Sequence, residues 1–170
     1  NIIIPELSLI TNISKDHEKF LGDTRSKIAN EKAGIIKPNV PVVLVERDNE
    51  TYPVFEKAAK TQGAPLIVAK EHNYSTDLLG NYQKKNINGV VSLINLIPNV
   101  TDQQIKRGLA NVIKNTALRG RWECLNKEPY IIADVAHNEA GLELVMKQLI
   151  SLNYDKIHIV FGVVLSLIHI

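Results

Sequence analysis

Short apolar runs alternate with helix-like segments through the first half of this chain, and that alternation restricts the possible folds more than any other feature. Five segments carry it: strands are predicted at residues 7–13, 40–46 and 65–69, and helices at residues 24–37 and 51–63. Thr24 suits the N-cap of the first helix, and Pro38 prevents that helix from continuing. This strand–helix–strand order predicts a mostly parallel sheet with helices on its faces.

The second half of the chain begins with a polar, turn-rich stretch, residues 71–86, in which we predict loops or short strands. The later segments follow in this order: helices at 86–97 and 101–112, a linker at 115–123, a strand leading into a loop at 130–138, a helix at 139–152 and a strand at 156–164. The last three segments make one more strand–helix–strand unit, which predicts the start of a second α/β domain.

The composition is that of a globular protein, and it excludes several classes. Of the 170 residues, 45% are hydrophobic and 22% are charged. The net charge of +2 is too small to indicate nucleic-acid or membrane binding. The sequence has no run of about 18 consecutive apolar residues, so no membrane-spanning helix is expected. Cys124 is the one cysteine, so no intrachain disulfide can form, which fits a reducing cytoplasm.

Both ends of the sequence are unusual. The first residue is Asn1 rather than Met, and the last six residues, LSLIHI, stop within an apolar run. We expect a fragment that is cut at both ends, with residues 165–170 as a non-native tail to be excluded from fold reasoning.

Asp16 and His17 follow the first predicted strand. Loops at the carboxyl ends of strands usually carry the site of an open α/β sheet. Histidine in such a loop can bind a metal ion or transfer a proton. The alternative is an ordinary histidine on a surface loop.

Lys32 lies on the apolar side of the helix predicted at 24–37, where its side chain could be partly buried. Burial lowers the pKa of a lysine and makes its amine nucleophilic. Such an amine can add carbon dioxide, and the resulting carbamate is an oxygen ligand suited to Mg²⁺. The alternative, which is the usual case, is a lysine whose ammonium group reaches solvent.

The run DVAHN, residues 134–138, ends a predicted strand and opens a predicted helix. Backbone N–H groups at a helix start favour phosphate; Asp134 can accept from ribose hydroxyls, and His137 can donate to phosphate. The alternative is a turn that only caps the helix.

Arg121, at the predicted domain junction, is either a phosphate clamp or an ordinary surface arginine. No G-x-x-x-x-G-K-[ST] or G-x-G-x-x-G motif occurs in the sequence.

Together these stretches resemble one known family. The segment ITNISKDHEKFLGDTRSKIANEKAGIIKPNVPVV, residues 10–43, strongly resembles the central domain of the folylpolyglutamate synthase / dihydrofolate synthase family of the Mur-ligase superfamily. The segments GNYQKKNINGVVSLI, LRGRWE and IIADVAHNEAGLELV continue the resemblance in the same order. It implies an α/β fold with a mostly parallel sheet. Residues 1–116 would be part of a Mur-ligase-like central domain, and residues 117–164 the start of a Rossmann-like C-terminal domain.

The resemblance implies an ATP-dependent ligase that adds L-glutamate to dihydropteroate, to folate or to both. In this family ATP phosphorylates a carboxylate to give an acyl phosphate, and the amine of glutamate then attacks to form an amide. The implied cofactors are ATP and Mg²⁺, with a monovalent cation left open. The implied partners are these small molecules, without nucleic acid or membrane, and the implied protein is a cytoplasmic monomer.

The resemblance also assigns roles residue by residue. His17 and Lys32 are the implied catalytic residues and metal ligands, with Lys32 carbamylated, whereas Asn86, Arg121, Asp134 and His137 are implied to contact the nucleotide. Asp16 belongs to the same Asp-His pair, and no definite role for it is implied.

Three positions depart from the family pattern: Ser14 replaces a usual Gly, Lys15 an apolar residue, and Val135 the Gly of D-G-A-H-N. Because a β-branched residue resists a positive φ, we expect the loop at 134–138 to differ slightly in shape and still to bind ATP.

The family's ATP loop and a metal-binding glutamate would precede Asn1, so the chain is expected to be inactive alone. The alternatives are another Mur-type amino-acid ligase of cell-wall synthesis, or a non-catalytic nucleotide-binding module.

Overall fold

The computed structural model describes residues 2–14 and 22–162. Within them, three short strands form one sheet: β1 (Ser8–Ile10), β2 (Val42–Leu44) and β3 (Leu66–Val68). The strands are parallel and lie in the order β1-β2-β3, with Ser8 opposite Val42 and Val42 opposite Leu66. The predicted mostly parallel sheet is therefore confirmed, although each strand is shorter than the apolar run that predicted it.

Two helices connect these strands, as the sequence predicts: α1 (Arg25–Ala33) between β1 and β2, and α2 (Tyr52–Gln62) between β2 and β3. Local capping explains their limits. Thr24 accepts a hydrogen bond from the Lys27 amide at 3.2 Å and so caps the start of α1. Gly63 ends α2 with a φ of 59°, a left-handed conformation that favours glycine. Helix α1 ends earlier than the predicted residue 37.

Two further helices follow: α3 (Gln83–Ile94) and α4 (Asp102–Leu109). Helix α3 begins at Gln83 rather than at the predicted residue 86. Thr101 and Gln104 cap α4 reciprocally, since the Gln104 amide donates to the Thr101 hydroxyl at 3.3 Å and the Thr101 amide donates to the Gln104 side chain at 2.8 Å. A separate short helix, α5 (Val112–Thr116), replaces the predicted continuation to residue 112.

The core of this part lies on both faces of the parallel sheet. On one face, Ile10 and Leu44 pack in a buried cluster with Phe55 of α2. On the other face, Gly89 of α3 approaches the strands so closely that a Cβ at this position would lie 3.2 Å from Leu9. Because successive side chains of a strand point to opposite faces, Leu9 and Ile10 lie on opposite faces of the sheet. The sheet is therefore covered by helices on both sides, as its apolar runs predict.

The chain forms two compact units: the first comprises residues 1–75 and 84–109, and the second comprises residues 76–83 and 110–170. Gln148 explains why the segment 76–83 belongs to the second unit. Its side chain, 9% exposed, accepts from the Asn81 amide at 2.6 Å and donates to the Leu79 carbonyl at 2.9 Å. The predicted domain boundary after residue 116 stays a prediction.

The second unit contains a two-stranded antiparallel sheet, β4 (Glu123–Lys127) and β5 (Tyr130–Ala133), followed by α6 (Glu139–Ile150). Asn138 caps α6 by accepting from the Gly141 amide at 2.8 Å, and this helix agrees with the predicted range 139–152. The sequence predicts no strand at β4, because the run ECLNK has little β-propensity. That strand forms because β5 supplies partners for its backbone groups.

Residues 156–162 form no strand, so the strand predicted at 156–164 is wrong for its described part. The predicted strand–helix–strand unit is wrong with it, since β5 pairs only with the antiparallel β4 among the described strands. A strand needs a neighbour for its backbone N–H and C=O groups, whereas Val160 is 100% exposed. Within the described ranges, every helix is too short or too polar to span a bilayer.

Candidate functional site

Charged side chains gather beyond the carboxyl ends of β1 and β2, where open α/β sheets usually carry their site. Arg25, the first residue of α1, pairs with Asp48 at 2.9 Å and donates from Nε to the Ile13 carbonyl at 3.3 Å. Asp48 also accepts from the amide of Thr51, the N-cap residue of α2, at 3.1 Å. The hydrogen bond from Arg25 lowers the pKa of Asp48 below its usual value. These contacts join the loops that follow the two strands.

A small cavity lies beside these residues, lined in part by Ile10, Leu44 and Phe55. Its volume is about 10 Å³. Since about 10–15 Å³ is needed to hold one water molecule, the cavity is far too small for a nucleotide.

Lys32 has the exposed environment of the alternative interpretation. It lies in the last turn of α1 with its side chain exposed, so the partial burial that would make its amine nucleophilic is not observed. The buried residues of α1 include Ile28 and Ala29, and helical spacing places Lys32 on the same side of the helix, four residues after Ile28. A lysine on an apolar face can lay its alkyl chain along that surface and extend its ammonium group to solvent, which explains its exposure.

The other predicted metal ligand, His17, and its neighbour Asp16 lie outside the described residues. In the part of the chain that the structure describes, no group of three or more His, Cys, Asp or Glu side chains could hold a metal ion. The described residues therefore do not by themselves form the predicted Mg²⁺ site.

Asn86 lies half-buried near the start of α3. Its neighbour Lys85 forms an ion pair with Glu46, two residues after the end of β2. The start of α3 therefore lies near the carboxyl end of the sheet. This position is compatible with the predicted nucleotide contact of Asn86, which stays a prediction.

In the second unit, one carboxylate connects three separated stretches of sequence. Asp134 accepts from the Tyr82 hydroxyl at 2.7 Å, from the Trp122 amide at 2.7 Å and from the Ala136 amide at 2.9 Å. We call this group of four residues the Asp134 junction. A carboxylate has roughly four acceptor sites, so three protein donors leave room for about one more. The predicted contact of Asp134 with a ribose hydroxyl therefore stays a prediction, and the observed partners give the residue a structural role as well.

Burial raises the pKa of Tyr82 well above its usual value, and the hydrogen bond to Asp134 raises it further. Tyr82 therefore keeps its proton at neutral pH and acts as a donor to Asp134. Its hydroxyl can therefore hold the carboxylate in place at neutral pH.

The run LRGRWE, residues 118–123, has an unusual backbone. Gly120 has a φ of 66°, and Trp122 has a φ of 53° although it is bulky and only 2% exposed. A left-handed conformation is rare for such a residue and persists only where its surroundings stabilise it. The Trp122 amide donates to Asp134, and the Gly120 amide donates to the Glu123 carboxylate at 2.8 Å. These two carboxylates hold the loop that carries Arg121.

Val135, which departs from the family pattern, packs against Gly120. The Val135 amide donates to the Gly120 carbonyl at 3.0 Å, and a Cβ at position 120 would lie 2.5 Å from Cγ1 of Val135. Val135 itself is not among the described residues with a positive φ. The loop therefore accommodates this β-branched residue without the left-handed conformation that it resists.

Arg121 and His137 flank the Asp134 junction in the sequence. Arg121 is half-buried, and its guanidinium donates to the Gly120 carbonyl at 3.2 Å. His137 is exposed, with Nδ1 at 3.0 Å from the Val135 carbonyl oxygen. His137 immediately precedes Asn138, the N-cap of α6, so both readings of the DVAHN run remain compatible with the structure. The run caps a helix, and it also lies at a helix start, where anions are favoured.

Tyr82 and Trp122 were not predicted as site residues. Both lie in runs that carry the family resemblance, GNYQKKNINGVVSLI and LRGRWE, and that membership was the available signal. No periodicity or spacing connects Tyr82 to a residue as far away in the sequence as Asp134.

Comparison with known proteins gives a consistent result. No family model matches the chain. It is 29% identical over 175 residues to the dihydrofolate synthase/folylpolyglutamate synthase of Bacillus subtilis, covering 84% of this chain and 39% of the relative. It is 33% identical over 164 residues to a probable dihydrofolate synthetase of Schizosaccharomyces pombe, covering 82% of this chain and 39% of the relative. A solved FPGS–AMPPCP–folate complex matches with a TM-score of 0.77 and 28% identity, over 89% of this chain and 44% of that one.

The parallel sheet with helices on both faces, together with this structural match, defines the class of the protein as one with a Mur-ligase-like fold. The chain spans about two fifths of the length of the curated relatives it matches. These matches support a partial member of the folylpolyglutamate synthase / dihydrofolate synthase family, in agreement with the sequence resemblance.

Proposed function

We propose that this chain is part of a longer ATP-dependent ligase that adds L-glutamate to dihydropteroate, to folate or to both. The observation that carries the proposal is the Asp134 junction, which joins the LRGRWE and DVAHN runs through one carboxylate. These runs contain Arg121 and His137, two of the residues proposed to bind ATP. The similar FPGS complex contains AMPPCP, an ATP analogue, and folate, which supports the same classes of ligand for this protein.

The proposed reaction has two steps. A carboxylate oxygen of the acceptor attacks the terminal phosphate of ATP, which releases ADP and gives an acyl phosphate. The amine of glutamate then attacks the acyl carbon, so that an amide forms, phosphate leaves and the amine loses a proton. Phosphoryl transfer depends mainly on positioning and on positive charge beside the transferred group.

The residues of the second unit suit the nucleotide side of this reaction. The guanidinium of Arg121 can donate two parallel hydrogen bonds to phosphate oxygens. A ring N–H of His137 can donate to phosphate as well, beside the first backbone amides of α6. Asn86, in the first unit, is proposed to contact the nucleotide through its side-chain amide.

Lys32 and His17 are proposed as catalytic residues and metal ligands on the sequence resemblance alone, because His17 lies outside the described residues. The side chain of Lys32 is exposed, so the carbamate is proposed without the burial that would favour an uncharged amine. The sequence contains no glycine-rich phosphate motif, so we propose that the 170-residue chain is inactive alone. The longer protein is proposed to be a cytoplasmic monomer that requires Mg²⁺ with ATP.

The experiment that tests this function is an assay of ATP-dependent incorporation of glutamate by the longer protein. Dihydropteroate, folate and a muramyl peptide are compared as acceptors. We expect incorporation into one or both of the first two. Incorporation into the muramyl peptide alone would identify a cell-wall ligase instead, and ATP binding without incorporation would indicate a non-catalytic nucleotide-binding module.

Lys32→Ala in the longer protein tests the carbamate hypothesis. We expect a loss of turnover of about 100-fold or more, the scale on which electrostatic groups at a reacting centre act. We expect little change in stability, because the side chain is exposed. Lys60→Ala is the matched control, since Lys60 is also an exposed lysine in the last turn of a helix. Equal turnover in the two variants would refute a catalytic role for Lys32.

A further inference from the structure

We infer that Tyr82 is a positioning residue for the nucleotide: its hydroxyl holds Asp134 in the orientation that shapes the LRGRWE and DVAHN loops. This inference rests on the proposed function, because it assigns ATP to those loops. The geometry within the second unit supports it. The Tyr82 hydroxyl and the Trp122 amide donate to the same carboxylate oxygen of Asp134, each at 2.7 Å, while the Ala136 amide donates to the other oxygen at 2.9 Å.

The position of the Tyr82 ring is itself determined by its surroundings. Gly80 is buried, and a Cβ on it would lie 2.6 Å from both Cε1 and Cζ of Tyr82. The segment around the ring is held by Gln148, which contacts the backbone of Asn81 and Leu79. The ring therefore has little freedom to move, and its hydroxyl is directed at Asp134.

The strained backbone beyond Asp134 explains why this orientation matters. The left-handed Trp122 is held through its amide by the same oxygen that accepts from Tyr82. If the carboxylate rotates, the Trp122 amide loses its acceptor and the neighbouring Arg121 loses its fixed position. Tyr82 thus acts on the nucleotide through Asp134 and does not need to contact the nucleotide itself.

The test is Tyr82→Phe in the longer protein, which removes one hydroxyl. Tyr74→Phe is the matched control, because the Tyr74 hydroxyl also donates to an aspartate, Asp102, at 2.6 Å, but in the first unit. We expect Tyr82→Phe to raise the KM for ATP about tenfold, the scale of one hydrogen bond to a charged group, with a smaller effect on kcat. We expect Tyr74→Phe to leave the KM for ATP unchanged.

Hydrogen–deuterium exchange without nucleotide gives a second readout. We expect faster exchange in peptides covering residues 119–137 in Tyr82→Phe, because the Trp122 and Ala136 amides lose a fixed acceptor. Gly80→Ala, which displaces the ring but keeps the hydroxyl, should reproduce this effect. A protein with both Gly80→Ala and Tyr82→Phe should exchange no faster than one with Tyr82→Phe alone. If Gly80→Ala does not fold, Tyr82→Phe alone decides the question.

Each outcome is decisive. Unchanged ATP KM and unchanged exchange in Tyr82→Phe would overturn the inference, as would equal changes in Tyr74→Phe. If the unmodified protein does not incorporate glutamate, the proposed function fails. The exchange measurement then still decides whether Tyr82 positions the loops.

Discussion

Gly120→Ala offers the sharpest test of the loop geometry around the Asp134 junction. Gly120 has a φ of 66°, and a non-glycine residue in the left-handed region costs about 1–2 kcal/mol. The new Cβ would also lie 2.5 Å from Cγ1 of Val135. Overpacking costs about 1–3 kcal/mol, and the lower end applies because Val135 is 51% exposed and can move aside. We therefore expect a total destabilisation of about 2–3 kcal/mol.

The assay is urea unfolding followed by the fluorescence of Trp122, the one tryptophan of the sequence. Because Trp122 is two residues from Gly120 and buried, its signal reports the loop directly. Adding Val135→Gly to Gly120→Ala should recover about 1 kcal/mol, since it removes the overlap but not the backbone strain.

Gly108→Ala is the control for the substitution itself. Gly108 lies within α4, and a Cβ there would meet nothing within 4 Å. This variant should gain about 0.5–1 kcal/mol, measured by circular dichroism, because alanine is the better helix former. An unfolding midpoint of Gly120→Ala equal to that of the unmodified chain would refute the reasoning about this loop.

Two further predictions concern pH and the nucleotide. Arg25 lowers the pKa of Asp48 in the folded protein. The pair therefore stabilises the fold at pH values above the ordinary aspartate pKa of about 3.9. This stabilisation is lost as the pH falls through the lowered pKa of the folded state. The difference in unfolding midpoint between the unmodified chain and Asp48→Asn should therefore shrink below about pH 4, and a constant difference down to pH 2 would contradict this. In the longer protein, His137→Ala should raise the KM for ATP, measured by steady-state kinetics, while circular dichroism should show that the fold is kept. An unaltered KM for ATP would count against the role proposed for His137.

The features that were predictable from the sequence are those that neighbouring residues determine. Thr24 caps α1 as expected, and Gly63 ends α2 at the limit of the predicted range 51–63, because caps depend on a few adjacent backbone groups. The apolar runs at β1, β2 and β3 predicted a parallel sheet, since only such a sheet buries continuous apolar strands on both faces.

Other features depended on partners that are distant in the sequence. Strand β4 forms because β5 pairs with it, whereas residues 156–162 are mostly apolar yet form no strand. The exposure of Lys32 could not be read from helical spacing, because a long side chain on a buried face can still extend its charged end into solvent.

The sequence by itself determined the order of the elements in the parallel part of the fold and the runs that carry the family resemblance. Only the tertiary structure decided that Asp134 connects three of those runs through Tyr82, Trp122 and Ala136. The physical reason is that a cap or an apolar period is a local property of the chain. A carboxylate shared by distant donors exists only after folding has brought them within hydrogen-bond distance.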